Sequence, residues 1–188
     1  MSSINLSIPT SDGMRSLGRQ LAGVLRAGDL VILSGPLGAG KTTLTQGIAD
    51  GLGVRGPVTS PTFVIARVHP PLPGAERGYG PGGAPSLVHA DAYRLGSALE
   101  LDDLDLDADL GTSVTVVEWG EGRAEGLAED RLEIAITPAP PGEPPREADT
   151  EGAMDDGDGD VPRTVRVSGV GPRWQDIQLP HVDASDRL

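Results

Sequence analysis

Apolar and polar positions alternate over residues 4–8 (Ile-Asn-Leu-Ser-Ile), the period of a short strand. From Met14 the period lengthens. Met14, Leu17, Leu21, Val24 and Leu25 fall near one helical face, with Ser11 or Asp12 placed to cap its start and Gly28 to end it. Residues 30–34 (Leu-Val-Ile-Leu-Ser) are apolar without alternation, as in a buried parallel strand. A Gly-rich turn follows, then a helix from about Lys41 to Leu52 that stops near Gly53. Residues 63–68 and 87–90 read as strands. The Pro- and Gly-dominated residues 70–85 between them read as a flexible hairpin extension. Leu99, Leu101, Leu104, Leu106 and Leu110 among many acids suggest one or two short helices over 97–110. Residues 114–118 form a strand that ends on a carboxylate, and 131–136 and 163–168 form two more, placed to pair with each other. Strands interleaved with helices predict an α/β sandwich with a mainly parallel central sheet.

The chain of 188 residues is long enough for one domain with its own core, spanning 1–188 with insertions at 70–85 and 138–160. It has no cysteine, which removes disulfides, thiolate metal sites and cysteine nucleophiles. No stretch approaches the roughly 20 apolar residues of a membrane span. No basic segment leads into an apolar run at the N-terminus, so no signal peptide is read there and a soluble cytoplasmic protein is the expectation. The net charge of −13 argues against a broad phosphate-contacting surface for nucleic acid, so any work on RNA is expected to run through a partner. More than half of that charge lies between Pro138 and Asp160, where eight acids face one base, Arg146; such tracts are usually solvated.

The turn after the second strand is Gly35-Pro36-Leu37-Gly38-Ala39-Gly40-Lys41-Thr42, which meets G-x-x-x-x-G-K-[ST] in full with a strand before it and a helix after it. Gly38, Ala39 and Gly40 let successive backbone N–H groups curl toward phosphate oxygens. Lys41 brings a mobile charge to the β- and γ-phosphates, the Thr42 hydroxyl is a magnesium ligand, and Thr43 reaches the α-phosphate as the helix begins. The helix N-terminus adds its positive dipole end. The motif sharpens the fold expectation to a P-loop NTPase-like three-layer sandwich, binding a nucleoside triphosphate, ATP, with Mg2+.

Such a loop needs an acid to hold magnesium and orient water. Asp91 and Glu118 each follow or end a strand, where ligands bind in open α/β sheets. Each alone also reads as a solvated acid or a helix cap. Thr59-Ser60-Pro61-Thr62 lies where nucleotide switches carry a γ-phosphate-sensing hydroxyl, though a Ser/Thr-Pro turn explains it as well. His69, His89 and His181 match no metal spacing, and His89 reads as a structural histidine at a strand end. Trp119 and Trp174 read as core or interface residues.

Together, Gly35 to Thr43, Ser60-Pro61-Thr62-Phe63, His89-Ala90-Asp91-Ala92-Tyr93-Arg94-Leu95 and Val117-Glu118-Trp119 resemble the TsaE family in order and approximate spacing, over roughly residues 4–137. TsaE is the bacterial ATPase needed for threonylcarbamoyladenosine modification of tRNA. The resemblance implies that Lys41 and Thr42 bind phosphate and magnesium and that Glu118 is a magnesium-site acid. It makes Asp91 a Walker-B-like or water-orienting acid, puts Thr62 in a switch-like loop, and places Ser11 where the N-terminal segment approaches the base. It also implies TsaB and TsaD as partners, with ATP hydrolysis resetting their complex and tRNA met only through it. Pro36 stands where an acid is usual, Ala90 where a large apolar residue is usual, and the 70–85 and 138–160 segments are longer than is typical.

A small-molecule or nucleoside kinase on the same fold is the alternative, but Arg77 alone in residues 70–85 makes a poor catalytic lid. A GTP switch lacks its base-reading motif, because Asn5 is the only asparagine. No arginine sits in a recognisable finger position, so weak ATPase activity in isolation is expected; Arg94 is a candidate finger, and activation by a partner is an equal alternative.

Overall fold

Seven strands form one sheet in the computed structural model, which describes residues 2–61, 65–75, 83–93, 111–139 and 161–180. They are β1 (Ser2–Ile8), β2 (Leu30–Ser34), β3 (Ala66–His69), β4 (Ser86–Asp91), β5 (Ser113–Glu118), β6 (Arg131–Pro138) and β7 (Arg163–Val170), in the order β1-β7-β6-β2-β5-β4-β3. The four central strands β6, β2, β5 and β4 run parallel, while β7, β1 and β3 join antiparallel at the two sides. Burial follows that division. All six residues of β5 are buried, as a parallel strand covered on both faces requires. In β6, next to the antiparallel side, Leu132, Ile134 and Ile136 are buried in alternation with half-buried neighbours.

Two helices, α1 (Ser11–Ala22) and α2 (Lys41–Leu52), pack side by side on one face of the sheet. Their apolar faces, with Met14, Leu17 and Leu21 from α1 and Leu44, Ile48 and Leu52 from α2, close over Val31, Leu33, Val114 and Val116. The backbones approach closely because glycines stand at the crossing. A Cβ on Gly18 would lie 2.5 Å from the Leu44 carbonyl oxygen, and one on Gly47 would overlap the carbonyl of Arg15. On the opposite face Leu30, Ile32, Val88, Ala90 and Val117 form a second cluster, covered among the described residues by Ala92, Ala124, Leu127 and Ala128. The helices expected over 97–110 lie outside the described residues. Among the described residues no helix is long and apolar enough to cross a membrane.

Several boundaries differ from the sequence expectation. Thr10 caps α1, its side-chain oxygen accepting from the Gly13 N–H at 3.0 Å, so Ser11 and Asp12 are helical. The helix ends at Gly23, and Gly28 instead turns the chain into β2 with its N–H bonded to the Ser113 carbonyl. Strand β3 begins at Ala66, because Ile65 has φ 74° and donates its N–H back to the Pro61 carbonyl, which interrupts extended backbone. The start of the 70–85 segment is tied down. Val54 bridges to Pro71, the Leu72 N–H reaches the Gly53 carbonyl and the Arg55 N–H reaches the Pro70 carbonyl. Residues 131–138 and 163–170 do pair, antiparallel, and the acidic residues 140–160 lie outside the described residues.

Candidate nucleotide site

The phosphate loop leaves β2 at Gly35 and enters α2 at Lys41. Its turn depends on glycine at two points. Gly35 has φ 142° and a Cβ there would strike the Ile136 carbonyl oxygen, and Gly40 has φ 102°. Gly40 is the N-cap of α2 and brings no side-chain cap, which leaves the first N–H groups of the helix without a capping hydroxyl, as an anion at a helix N-terminus would require. Gly38 is also left-handed and Ala39 is buried, its N–H closing a turn onto the Pro36 carbonyl. Thr43 follows half-buried in the first turn of α2.

Lys41 is 5% exposed and its Nζ donates to the carbonyls of Gly35 at 2.8 Å and Pro36 at 2.9 Å. The ammonium lies 3.6 Å from the centre of the Trp119 ring, a cation–π contact. Burial holds its pKa below the ordinary lysine value, opposed by the charges of Glu118 and Asp91. Trp119 holds this place with φ 59°, and the Tyr93 ring packs against it, tilted by 51° with ring centres 5.0 Å apart. A cleft of about 550 Å³ opens beside the loop, lined by Ser34, Gly35, Trp119, Glu121, Gly122 and Arg123.

The two acids predicted from strand ends are brought together. Asp91 and Glu118 are register partners on adjacent parallel strands, and Glu118 is also the register partner of Leu33 on β2. Both are nearly fully buried. The Thr42 hydroxyl donates to Glu118, 2.9 Å from Oε1 and 3.1 Å from Oε2. With its proton turned to the carboxylate, the Thr42 oxygen presents its lone pairs away from Glu118, the arrangement a hard cation needs from a hydroxyl. Asp91 accepts from the Tyr93 N–H at 2.8 Å and the Ser60 hydroxyl at 3.3 Å, while its own N–H donates to the Ile65 carbonyl. That ties the acid to the segment around the Ser60-Pro61 block. Thr62 and Arg94 lie outside the described residues. Ser11 opens α1, whose Met14 reaches toward Gly40 one turn later.

Two residues that the sequence reading did not assign to the site sit here. Arg163, the first residue of β7, places its Nε 3.5 Å from where a Gly40 Cβ would be, and its buried Nη1 has no hydrogen-bond partner among the described residues. No local signal marks it, since it enters the site through strand pairing alone. His89, which read as a structural histidine, is fully buried and meets Glu118 with Nε2 2.8 Å from Oε1. Its neighbourhood to Asp91 in sequence was visible, but its neighbour in space is Glu118. Trp174 is core, with no exposed surface, whereas Trp119 belongs to the site.

The model of the family described as threonylcarbamoyl adenosine biosynthesis protein TsaE matches residues 8–144, a span that contains the loop, Ser60, His89, Asp91 and Glu118. The chain belongs to the TsaE family. The tRNA threonylcarbamoyladenosine biosynthesis protein TsaE of Streptomyces coelicolor is 57% identical over 162 residues, covering 86% of this chain and 93% of that protein. The protein of the same name from Mycobacterium tuberculosis is 49% identical over 136 residues, covering 69% and 76%. Among solved structures, Bacillus subtilis YdiB superposes with a TM-score of 0.61 at 28% identity, covering 92% of this chain and 89% of that one. Arg163 lies beyond the span matched by the family model.

Proposed function

We propose that this TsaE-family chain is the magnesium-dependent, ATP-binding and ATP-hydrolysing subunit required for threonylcarbamoyladenosine modification of tRNA. It acts in the cytoplasm on the TsaB–TsaD pair and meets tRNA only through that complex. The observation that carries the reading is the joint placement of Lys41, Thr42 and Glu118 at the mouth of the phosphate loop. The family membership and the names of the relatives supply the pathway.

In this reading the loop amides from Gly38 to Thr43 and the α2 N-terminus bind the phosphates, and Lys41 moves its charge onto the β- and γ-oxygens. Thr42 and Glu118 hold Mg2+, an all-oxygen donor set suited to a hard cation that keeps several waters. Bound there, the ion neutralises charge that develops on the phosphates. Asp91, one strand over, accepts a proton from and orients the attacking water, and its tie to Ser60 couples that acid to the segment leading to Thr62. Arg123 is engaged with the carbonyls of Ala92 and Trp119, so it stiffens the wall of the cleft. No arginine among the described residues is placed as a finger on the γ-phosphate side, so hydrolysis by the chain alone is slow and rises with its partners.

The test is purified protein with ATP and Mg2+, followed by a TsaB–TsaD turnover assay. ATP binding, weak hydrolysis and restored multiple turnover are the expected results. Failure both to bind ATP and to restore turnover would end the reading. Phosphate transfer to an added small-molecule acceptor would replace it with a kinase, and a clear preference for GTP would replace it with a switch.

A further inference from the structure

We propose that His89 is a positioning residue that locks the Glu118 carboxylate in the orientation from which it serves Mg2+, an inference that rests on the functional reading above. Glu118 stands at the end of β5 with almost no exposed surface, and water has little access to hold its oxygens. Among the described residues two side-chain donors hold it instead. Thr42 reaches it from the first turn of α2, and His89 reaches it from β4, the strand beside β5. Both bonds converge on Oε1, at 2.9 Å and 2.8 Å. A carboxylate only accepts, so the ring carries its proton on Nε2. The other ring nitrogen, Nδ1, is buried without a hydrogen-bond partner among the described residues. The neutral ring with Nε2–H leaves only an acceptor unpaired there, whereas any form with a proton on Nδ1 strands a buried donor as well.

This arrangement separates two tasks. Thr42 stands in the first turn of α2, directly after the loop, whereas His89 is held within the sheet, paired to Arg67 of β3 on one side and Val116 of β5 on the other. His89 therefore supplies a contact to Glu118 that comes from the sheet and not from the end of the loop. Without it the buried acid keeps Thr42 as its one side-chain donor among the described residues, is freer to rotate about its side-chain torsions, and loses the preorganisation that outer contacts give a metal ligand. Removing such contacts typically weakens metal affinity or activity by about 10- to 100-fold.

ATP affinity measured by calorimetry with excess Mg2+ and again with EDTA isolates the metal's contribution as the ratio of the two. His89→Leu removes the donor, His89→Asn keeps an amide that falls one bond short of Glu118, and His89→Gln places an amide nitrogen at the reach of Nε2. The expected outcome is a ratio about tenfold or more below wild type for Leu and Asn, a ratio near wild type for Gln, and EDTA affinity unchanged in all three. Should the His89→Leu chain fail to fold, the Asn and Gln pair, alike in polarity and different in reach, carries the comparison. A wild-type ratio in the Asn variant, or a loss in Gln as large as in Asn, overturns the role of the donor while the parent reading stands. A wild-type protein whose ATP affinity is indifferent to Mg2+ overturns the parent reading and this one with it.

Discussion

Replacing Lys41 with Met tests whether this side chain serves the ligand or the fold. Its ammonium makes two hydrogen bonds to loop carbonyls and one contact to the Trp119 ring. Each hydrogen bond contributes about 0.5–1.5 kcal/mol net and the ring contact about 0.5–1 kcal/mol. Against them stands the burial of the charge, which holds the pKa below the ordinary value. The sign follows. A lowered folded pKa means that the amine favours the fold above the unfolded pKa and that this contribution is lost as pH falls through the folded value. Gly35 is half-buried and Pro36 exposed, so water can take over their carbonyls in the variant. The opposing contributions leave a net change on the order of 1 kcal/mol, or about 2–4 °C in Tm for a chain of this size. Nucleotide binding has no such compensation. One charge-assisted contact to phosphate contributes about 1.5–3 kcal/mol, which at about 1.4 kcal/mol per decade is roughly a 10- to 150-fold loss of affinity. Thermal melts and calorimetry with ATP, or the fluorescence of Trp119 beside the ammonium, measure the two effects separately. Unchanged ATP affinity would remove Lys41 from the site, and a fall in Tm of more than about 10 °C would make it a strut of the fold.

Arg163→Ala should weaken ATP binding by about tenfold, one charged hydrogen bond, with little change in the apo melting temperature, because the buried Nη1 has no hydrogen-bond partner to lose among the described residues. Equal ATP affinity in the variant would show that the guanidinium faces no phosphate or base. Gly47→Ala should lower stability by about 1–3 kcal/mol in chemical denaturation, since the new methyl meets the Arg15 backbone and outweighs the helix-propensity gain of about 1 kcal/mol; a more stable variant would contradict the close helix crossing. Asp29, paired with Arg173 at 3.0 Å, has its carboxyl pKa raised, first by burial, with Arg173 and the Arg26 N–H opposing. Its contribution is therefore fully present below the ordinary carboxylate pKa and lost as pH rises through the raised folded value. The Tm of wild type relative to Asp29→Asn should decline as pH rises above the ordinary carboxylate pKa, and a difference that grows with pH would reverse the assignment.

Contiguous features were legible without coordinates. The loop from Gly35 to Thr42 declares itself because its demands are local: glycine where φ is positive, a lysine and a hydroxyl at the first helical positions, a buried strand before and a helix after. The ends of β4 and β5 were legible for the same reason, as apolar runs stopping on acids. The start of α1 was less so, since Thr10, Ser11 and Asp12 are all competent caps and only the backbone geometry chooses Thr10. Strand was also expected at Ile65, whose apolar side chain matches strand composition, but the turn there leaves no compositional trace; residues 63 and 64 lie outside the described residues.

The sequence by itself determined that a G-x-x-x-x-G-K-T turn joins a buried strand to a helix, which residues build it, and that acids stand at two strand ends. Only the tertiary structure decided which separated residues meet. It placed β5 between β2 and β4, which puts Glu118 against Thr42 and His89, and it ran β7 back beside β6, which carries Arg163 to the start of α2. The physical reason is the range of the signals. Hydrophobic period and turn chemistry are set by neighbours along the chain. Strand order and register are set by how the whole set of apolar faces is buried at once, and no residue records its partner across the sheet.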